Sequence, residues 1–231
     1  MLRTLEAHAL EWDGAIEYQS AHTERYAQAL RTLRSQGRTF ECSCTRSELT
    51  DGGYRGTCRD APARDGPTAT RFRVDDGETA FEDRAQGRCA FSLRERGDFV
   101  IRRRDGVIAY QLAVVIDDAQ AGITDVVRGA DLLDNTPWQL ALQRALSLPT
   151  PRYLHLPLVM EGVRGKLSKS RQALALDPRM AGPQLYQSLT LLMQAPPLSL
   201  KLESPRAILD WARQHWSLDR FQGRREVLRP E

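Results

Sequence analysis

Lys166-Leu167-Ser168-Lys169-Ser170, set behind Gly165, places two lysines around a serine with a second serine following. Lysine ammoniums are mobile point charges for phosphate oxygens, and hydroxyls add hydrogen bonds, so a loop of this make-up can wrap a triphosphate. Taken alone, a Lys/Ser stretch is more often a solvated surface loop. A second set is Cys42, Cys44, Cys58 and Cys89. In a chain without secretory features, this spacing points to a metal ion more than to disulfides. Cys42 and Cys44 are badly placed to bond each other and well placed to share an ion. Thiolate outranks phenolate for Zn²⁺ and tetrahedral sites are mostly Cys/His, so chemistry alone favours Cys89 as fourth ligand. A third set is Tyr110 at the end of an apolar run and Arg128-Gly129 at the end of another. Glycine lets a backbone approach a ligand closely, and an arginine fork pairs bidentately with a carboxylate. His8, His22, His155 and His215 do not cluster in sequence, and none is assigned a catalytic role.

The elements that must position these residues read as alternating helices and strands. Leu2–Leu10 has helical spacing and stops at Asp13-Gly14. Ser20 is the expected N-cap of a helix from His22 to about Gln36, with Tyr26, Ala29, Leu30 and Leu33 on one face and Gly37 as terminator. Residues 39–67 are rich in Cys, Gly, Arg and Asp with little periodicity, the texture of a ligand-stapled insertion. Thr68–Val74, Cys89–Leu93 and Phe99–Arg103 read as short strands. Asp105-Gly106 signals a hairpin turn into a buried strand that presents Tyr110 and continues through Leu112–Ile116. Ile123–Arg128 and Tyr153–Met160 are further expected strands. Helices follow from Asn135 or Thr136 through Leu146, over Met180–Leu192, and after Ser204-Pro205. This alternation predicts an α/β core with an inserted subdomain.

Hydrophobic content of 41% with 27% charged residues is ordinary for a globular protein of 231 residues. No apolar run approaches the roughly 20 residues of a membrane span. No signal-peptide core opens the chain, so the expected location is the cytoplasm. The net charge of +3 demands no nucleic acid by itself. Arginine clusters such as Arg102-Arg103-Arg104 and Arg224-Arg225 nevertheless suit an anionic partner.

In combination, AYQLAVVIDDAQAGITDVVRGADLLDNTPWQ, RYLHLPLV and KLSKS resemble the glutamyl/glutaminyl class I aminoacyl-tRNA synthetases, in motif order and spacing over nearly the whole chain from Leu2. The resemblance is strongest to the short branch directed to queuosine-34 of tRNA(Asp), because only a small helical cap can follow Ser170. It implies a Rossmann-like catalytic domain with a zinc-binding insertion and a short helical C-terminus. The implied layout is 1–38 for the remainder of the first Rossmann half, 39–104 for the zinc-bearing acceptor-binding insertion, 105–180 for the second half with the KLSKS loop, and 181–231 for the cap. By the same resemblance, Lys169 with Ser168 and Ser170 binds ATP, joined by Lys166 as a catalytic lysine, and Tyr110 and Arg128 hold the substrate glutamate. The resemblance further implies a zinc ion bound by Cys42, Cys44, Tyr54 and Cys58, with Cys89 then a buried small hydrophobe. ATP with Mg²⁺, glutamate and tRNA(Asp) carrying queuosine are the implied substrates of a monomeric ligase.

The family also carries a PSPTG-type loop, a HIGH-like signature and an acidic motif ahead of the segment equivalent to Leu2. No His-x-Gly-His or Pro-Thr-Gly run occurs in the sequence. The expectation is a catalytic domain missing its N-terminal βα units, through a late start codon or a truncation. Its adenylation chemistry would be impaired, since contacts on one side of the nucleotide leave orientation unsupplied. The competing expectation is a non-catalytic remnant or zinc-stapled RNA-binding module. An ordinary glutamate–tRNA ligase is disfavoured by the short C-terminus.

Overall fold

The computed structural model describes residues 1–45, 48, 54, 56–61, 64–160 and 175–228. Lys166, Ser168, Lys169 and Ser170 lie outside the described residues. Helix α1 (Leu2–Ala7) opens the chain, and α2 (Thr23–Ser35) buries Tyr26, Ala29, Leu30 and Leu33 along one face. Ser20 does not cap α2; it sits in a 3₁₀ turn, Gln19–Ala21, and His22 takes the cap position without a side-chain bond. The other end closes as expected. Gly37 has φ +69°, its N–H reaches Arg34 O, and the Arg38 N–H reaches back to Leu33 O, so the last carbonyls are satisfied.

Strands β1 (Thr39–Cys42), β2 (Ala69–Phe72) and, further on, β5 (Phe99–Arg102) form an antiparallel sheet in the order β1-β2-β5. Phe72, Phe99 and Ile101 from this sheet pack with Leu30 and Leu33 of α2. Leu112 and Val115 join them from α4 (Tyr110–Gln120), and Leu142 from α5 (Thr136–Ala145). The run from Tyr110 through Ile116, expected as a buried strand, is thus a helix. A short apolar run fits either form, and here the chain continues helical to Gln120 so that Leu112, Ala113 and Val115 can face the core together.

The second sheet has the order β4-β3-β7-β6 and is built from β3 (Glu78–Asp83), β4 (Gly87–Ser92), β6 (Asp125–Gly129) and β7 (Arg152–Leu156). β6 and β7 run parallel, joined through α5, with Arg128 opposite His155. The β3–β4 hairpin joins β7 at the pair Asp83–Tyr153. Residues 39–104 therefore contribute to two sheets. β3 was not anticipated, because Glu78, Glu82 and Asp83 mask its alternation of buried and exposed positions. The expected strand Tyr153–Met160 breaks at Pro157, and β8 (Leu158–Met160) pairs instead with β9 (Glu226–Leu228).

After the short α3 (Leu93–Arg96) in the first half, the C-terminal part carries α6 (Ala181–Leu191) and α7 (Pro205–His215). They share a small core of Leu189, Leu200, Ile208 and Ala212, and the Ser204 hydroxyl accepts the Ala207 N–H as N-cap of α7. Phe221 packs on Ala85 and Leu154 and ties this end to the second sheet. Among the described residues no helix is long and apolar enough to cross a membrane.

Candidate active site and metal site

The metal-ligating side chains gather where β1 ends. Cys42 closes that strand, the chain turns at Ser43-Cys44, and the Arg104 guanidinium donates to the Ser43 and Cys44 carbonyls, fixing the turn. The sulfurs of Cys42, Cys44 and Cys58 all lie within 4.8 Å of one another, with Cys44 Sγ 3.5 Å from Cys58 Sγ. A tetrahedral ion with bonds of about 2.3 Å sets its sulfurs about 3.8 Å apart, so the cluster has the size of such a site. Burial and both neighbouring thiols push Cys44 up to about 12. Burial also opposes charge on Cys58, but hydrogen bonds from Ser43 and the other thiols outweigh it and lower the group to about 7. Three crowded thiols can ionise together only around a cation, and this donor set fits a metal ion.

Tyr54 belongs to the same place. Its hydroxyl oxygen accepts the Cys58 N–H at 2.6 Å, and its ring lies under the Arg71 guanidinium, 4.0 Å from the ring centre. Burial raises its phenol, and the nearby sulfurs of Cys42 and Cys58 add to the shift against the opposing Cys58 N–H. Cys89 lies elsewhere, in β4 opposite Phe81, with its sulfur directed to Gly87 O. A cleft of about 350 Å³ opens beside the cluster, lined by Arg71, Arg103 and Arg104 together with Cys42, Cys44 and Asp105.

The second site forms on β6 and β7. Arg128 is half-buried and its guanidinium is held from one side. Its Nε–H donates to His155 Nε2 at 3.0 Å, and Nη2 donates to Thr136 Oγ1 at 2.9 Å. The guanidinium carbon stands 5.3 Å from the Tyr153 ring centre. The fork is thus anchored through Nε and Nη2. Asp118, on the last turn of α4, faces the same space. Burial lifts its carboxyl above the usual range and Asp117 adds to this, while Arg128 opposes it. Tyr110 begins α4 and is half exposed, at 49%. It shares with Arg128 and Asp118 an electrostatic influence on Tyr153, whose phenol is raised first by burial. A cationic fork held in this way can pair with a substrate carboxylate.

Of the residues singled out in the sequence, Cys42, Cys44, Cys58 and Tyr54 come together in one place, Arg128 stands over Tyr153 in another with Tyr110 acting on that ring only electrostatically, and Cys89 joins neither. Asp83, His155, Thr136 and Asp118 were not anticipated as parts of the second site. Only His155 carried a hint, through its place on the strand leading toward Lys166.

The chain belongs to the class I tRNA synthetases (E and Q), matching their catalytic domain over residues 1–193. It is α/β, with the Rossmann-like organisation of that class. Among its relatives, the glutamyl-Q tRNA(Asp) synthetase of Ectopseudomonas mendocina is 49% identical over 96% of this chain and 76% of its own length. The enzyme of the same name from Dechloromonas aromatica is 46% identical over all of this chain and 80% of its own. Among solved structures, the glutamate–tRNA synthetase of Elizabethkingia anophelis superposes with a TM-score of 0.74 at 18% identity. The match covers 97% of this chain and 56% of that one, so the chain spans little more than half of the solved protein and the likeness is one of fold.

Proposed function

We propose that this chain activates glutamate with ATP and transfers it to queuosine-34 of tRNA(Asp), as a tRNA-modifying ligase. The glutamate carboxylate attacks the α-phosphate of ATP, giving glutamyl-adenylate and pyrophosphate, and a nucleoside hydroxyl then displaces AMP. Arg128 pairs with a substrate carboxylate, and Tyr110 joins it in holding glutamate. Lys169, with Ser168 and Ser170, holds ATP and its Mg²⁺, and Lys166 joins Lys169 in stabilising charge on the transferring phosphate. Zn²⁺, bound by Cys42, Cys44, Cys58 and Tyr54, staples the loop-rich part of the 39–104 insertion, and Arg103 and Arg104 at the cleft beside it meet the tRNA backbone.

The observation that carries this reading is the anchored Arg128. Two of its nitrogens are fixed by His155 and Thr136, which restricts the directions in which the guanidinium can be presented. A guanidinium only donates, which favours a carboxylate over a carboxamide. An NMR titration of the chain with glutamate and with glutamine tests it. Glutamate is expected to bind at least tenfold more tightly, and Arg128→Ala to abolish the difference. Equal binding of the two amino acids, or an unchanged preference in Arg128→Ala, refutes the assignment.

A further inference from the structure

We infer that Asp83 and His155 are positioning residues, a buried relay that fixes the tautomer of one imidazole and through it the aim of the Arg128 fork. This rests on the reading of Arg128 as the carboxylate-binding group. The three residues sit on the adjacent strands β3, β7 and β6. His155 is the direct cross-strand partner of Arg128, and Asp83 is opposite Tyr153, two residues from His155 along the same face.

Donor and acceptor roles along the relay follow from chemistry. An arginine Nε always donates, so His155 Nε2, 3.0 Å away, must be the acceptor and carry no proton. The ring hydrogen then sits on Nδ1 and points at Asp83 Oδ2, 2.6 Å distant. The opposite tautomer would set N–H against N–H at Arg128, and an imidazolium would do the same. Asp83 cannot turn away, because its Oδ1 accepts the backbone N–H groups of Ala85 at 3.0 Å, Gln86 at 2.9 Å and His155 at 3.2 Å. Both side chains of the Asp–His pair are fully shielded from water.

A purely structural role accounts poorly for this arrangement. A buried ionised carboxylate is costly unless fully hydrogen-bonded, so apolar residues of the same volume would serve packing at least as well. The Asp–His pair continues to the partly buried Arg128 guanidinium, which it holds at Nε. Groups behind a ligand-contacting side chain commonly set its orientation, and losing them costs about 10–100-fold in binding or activity.

The first test needs no variant. Long-range ¹H–¹⁵N NMR of the ¹⁵N-histidine-labelled chain should show His155 as the neutral Nδ1–H tautomer, and an Nε2–H or imidazolium signature would overturn the relay. The second test compares glutamate dissociation constants from NMR titration. Asp83→Asn, which lets an amide N–H face Nδ1, should weaken glutamate binding about 10–100-fold and shift the ring toward Nε2–H. His155→Gln, which keeps an acceptor near the Nε2 position, should retain more affinity than His155→Leu. Adding Asp83→Asn to Arg128→Ala should cost little beyond Arg128→Ala alone, since both act through one fork. Additive losses, or Gln and Leu variants that bind alike, would overturn the proposal. If Arg128→Ala alone leaves glutamate binding intact while the Nδ1–H tautomer is found, it is the Arg128 reading that fails, and the inferred purpose of the relay falls with it.

Discussion

Replacing Cys58 by serine should empty the metal site and lower the melting temperature by roughly 5–11 °C. Cys58 is buried against Cys44 and Cys42, and a serine hydroxyl there neither ionises near neutral pH nor matches a soft thiolate. An ion present at 100 times its dissociation constant stabilises the folded chain by about 2.7 kcal/mol. In a chain of this size each kcal/mol moves the melting temperature by about 2–4 °C. The loss should spread beyond the turn. Cys42 ends β1, β1 pairs with β2 from Thr39–Phe72 to Cys42–Ala69, and Phe72 of β2 lies in the main core. Elemental analysis of purified protein should give about one zinc per chain, and scanning calorimetry with and without chelator should reproduce the variant's shift. Cys89→Ser, outside the cluster, should keep its zinc. A full equivalent of metal in Cys58→Ser, or a wild-type melting temperature indifferent to chelation, would refute the reasoning. Loss of zinc from Cys89→Ser with retention in Tyr54→Phe would show that the fourth ligand is not Tyr54.

Three further outcomes are expected. Burial raises the Asp83 carboxyl, but the His155 ring and the surrounding backbone N–H groups outweigh this and leave it below its usual value. Its stabilising contribution is then complete above the unfolded carboxyl pKa of about 3.9 and is lost as pH falls through the folded value. Denaturant titrations should accordingly show wild type and Asp83→Asn well apart at pH 7 and converging below about pH 4; a constant difference would argue against this. Leu142→Ala, at a fully buried position among Leu33, Phe72 and Ile101, should cost about 2–5 kcal/mol in the same titrations, and a loss under 1 kcal/mol would mean the cluster is not the main core. Lys169→Ala should depress glutamate-dependent ATP–pyrophosphate exchange about 10²–10³-fold in protein expressed from its longest natural reading frame, and an undiminished rate would remove Lys169 from the ATP site.

What could be seen in the sequence depended on how local each signal is. The cysteine cluster was legible because Cys42, Cys44 and Cys58 lie close enough along the chain for one turn and one loop to bring them together. Arg128 was singled out because Gly129 beside it marks a close backbone approach. The Asp83–His155–Arg128 relay was not, since its acid and its imidazole are 72 residues apart and meet only through strand pairing. The acidic face of β3 concealed the strand that makes this pairing. Tyr110–Ile116 misled for a different reason: an apolar run bounded by Asp117-Asp118 satisfies a buried strand and a half-buried helix equally, and only the packing of Leu112 and Val115 against α2 and α5 decides. The α7 helix and the Pro137 start of α5 were read nearly to their ends because proline and Ser204 fix helix N-termini chemically.

The acceptor is the most direct point of decision. Protein from the longest natural reading frame, incubated with ATP and ¹⁴C-glutamate, would be offered queuosine-containing tRNA(Asp), tRNA(Asp) lacking queuosine, and tRNA(Glu). The account predicts label on queuosine-containing tRNA(Asp) alone, in a fragment that carries nucleotide 34 after nuclease digestion. Label on the terminal adenosine of tRNA(Glu) would contradict it.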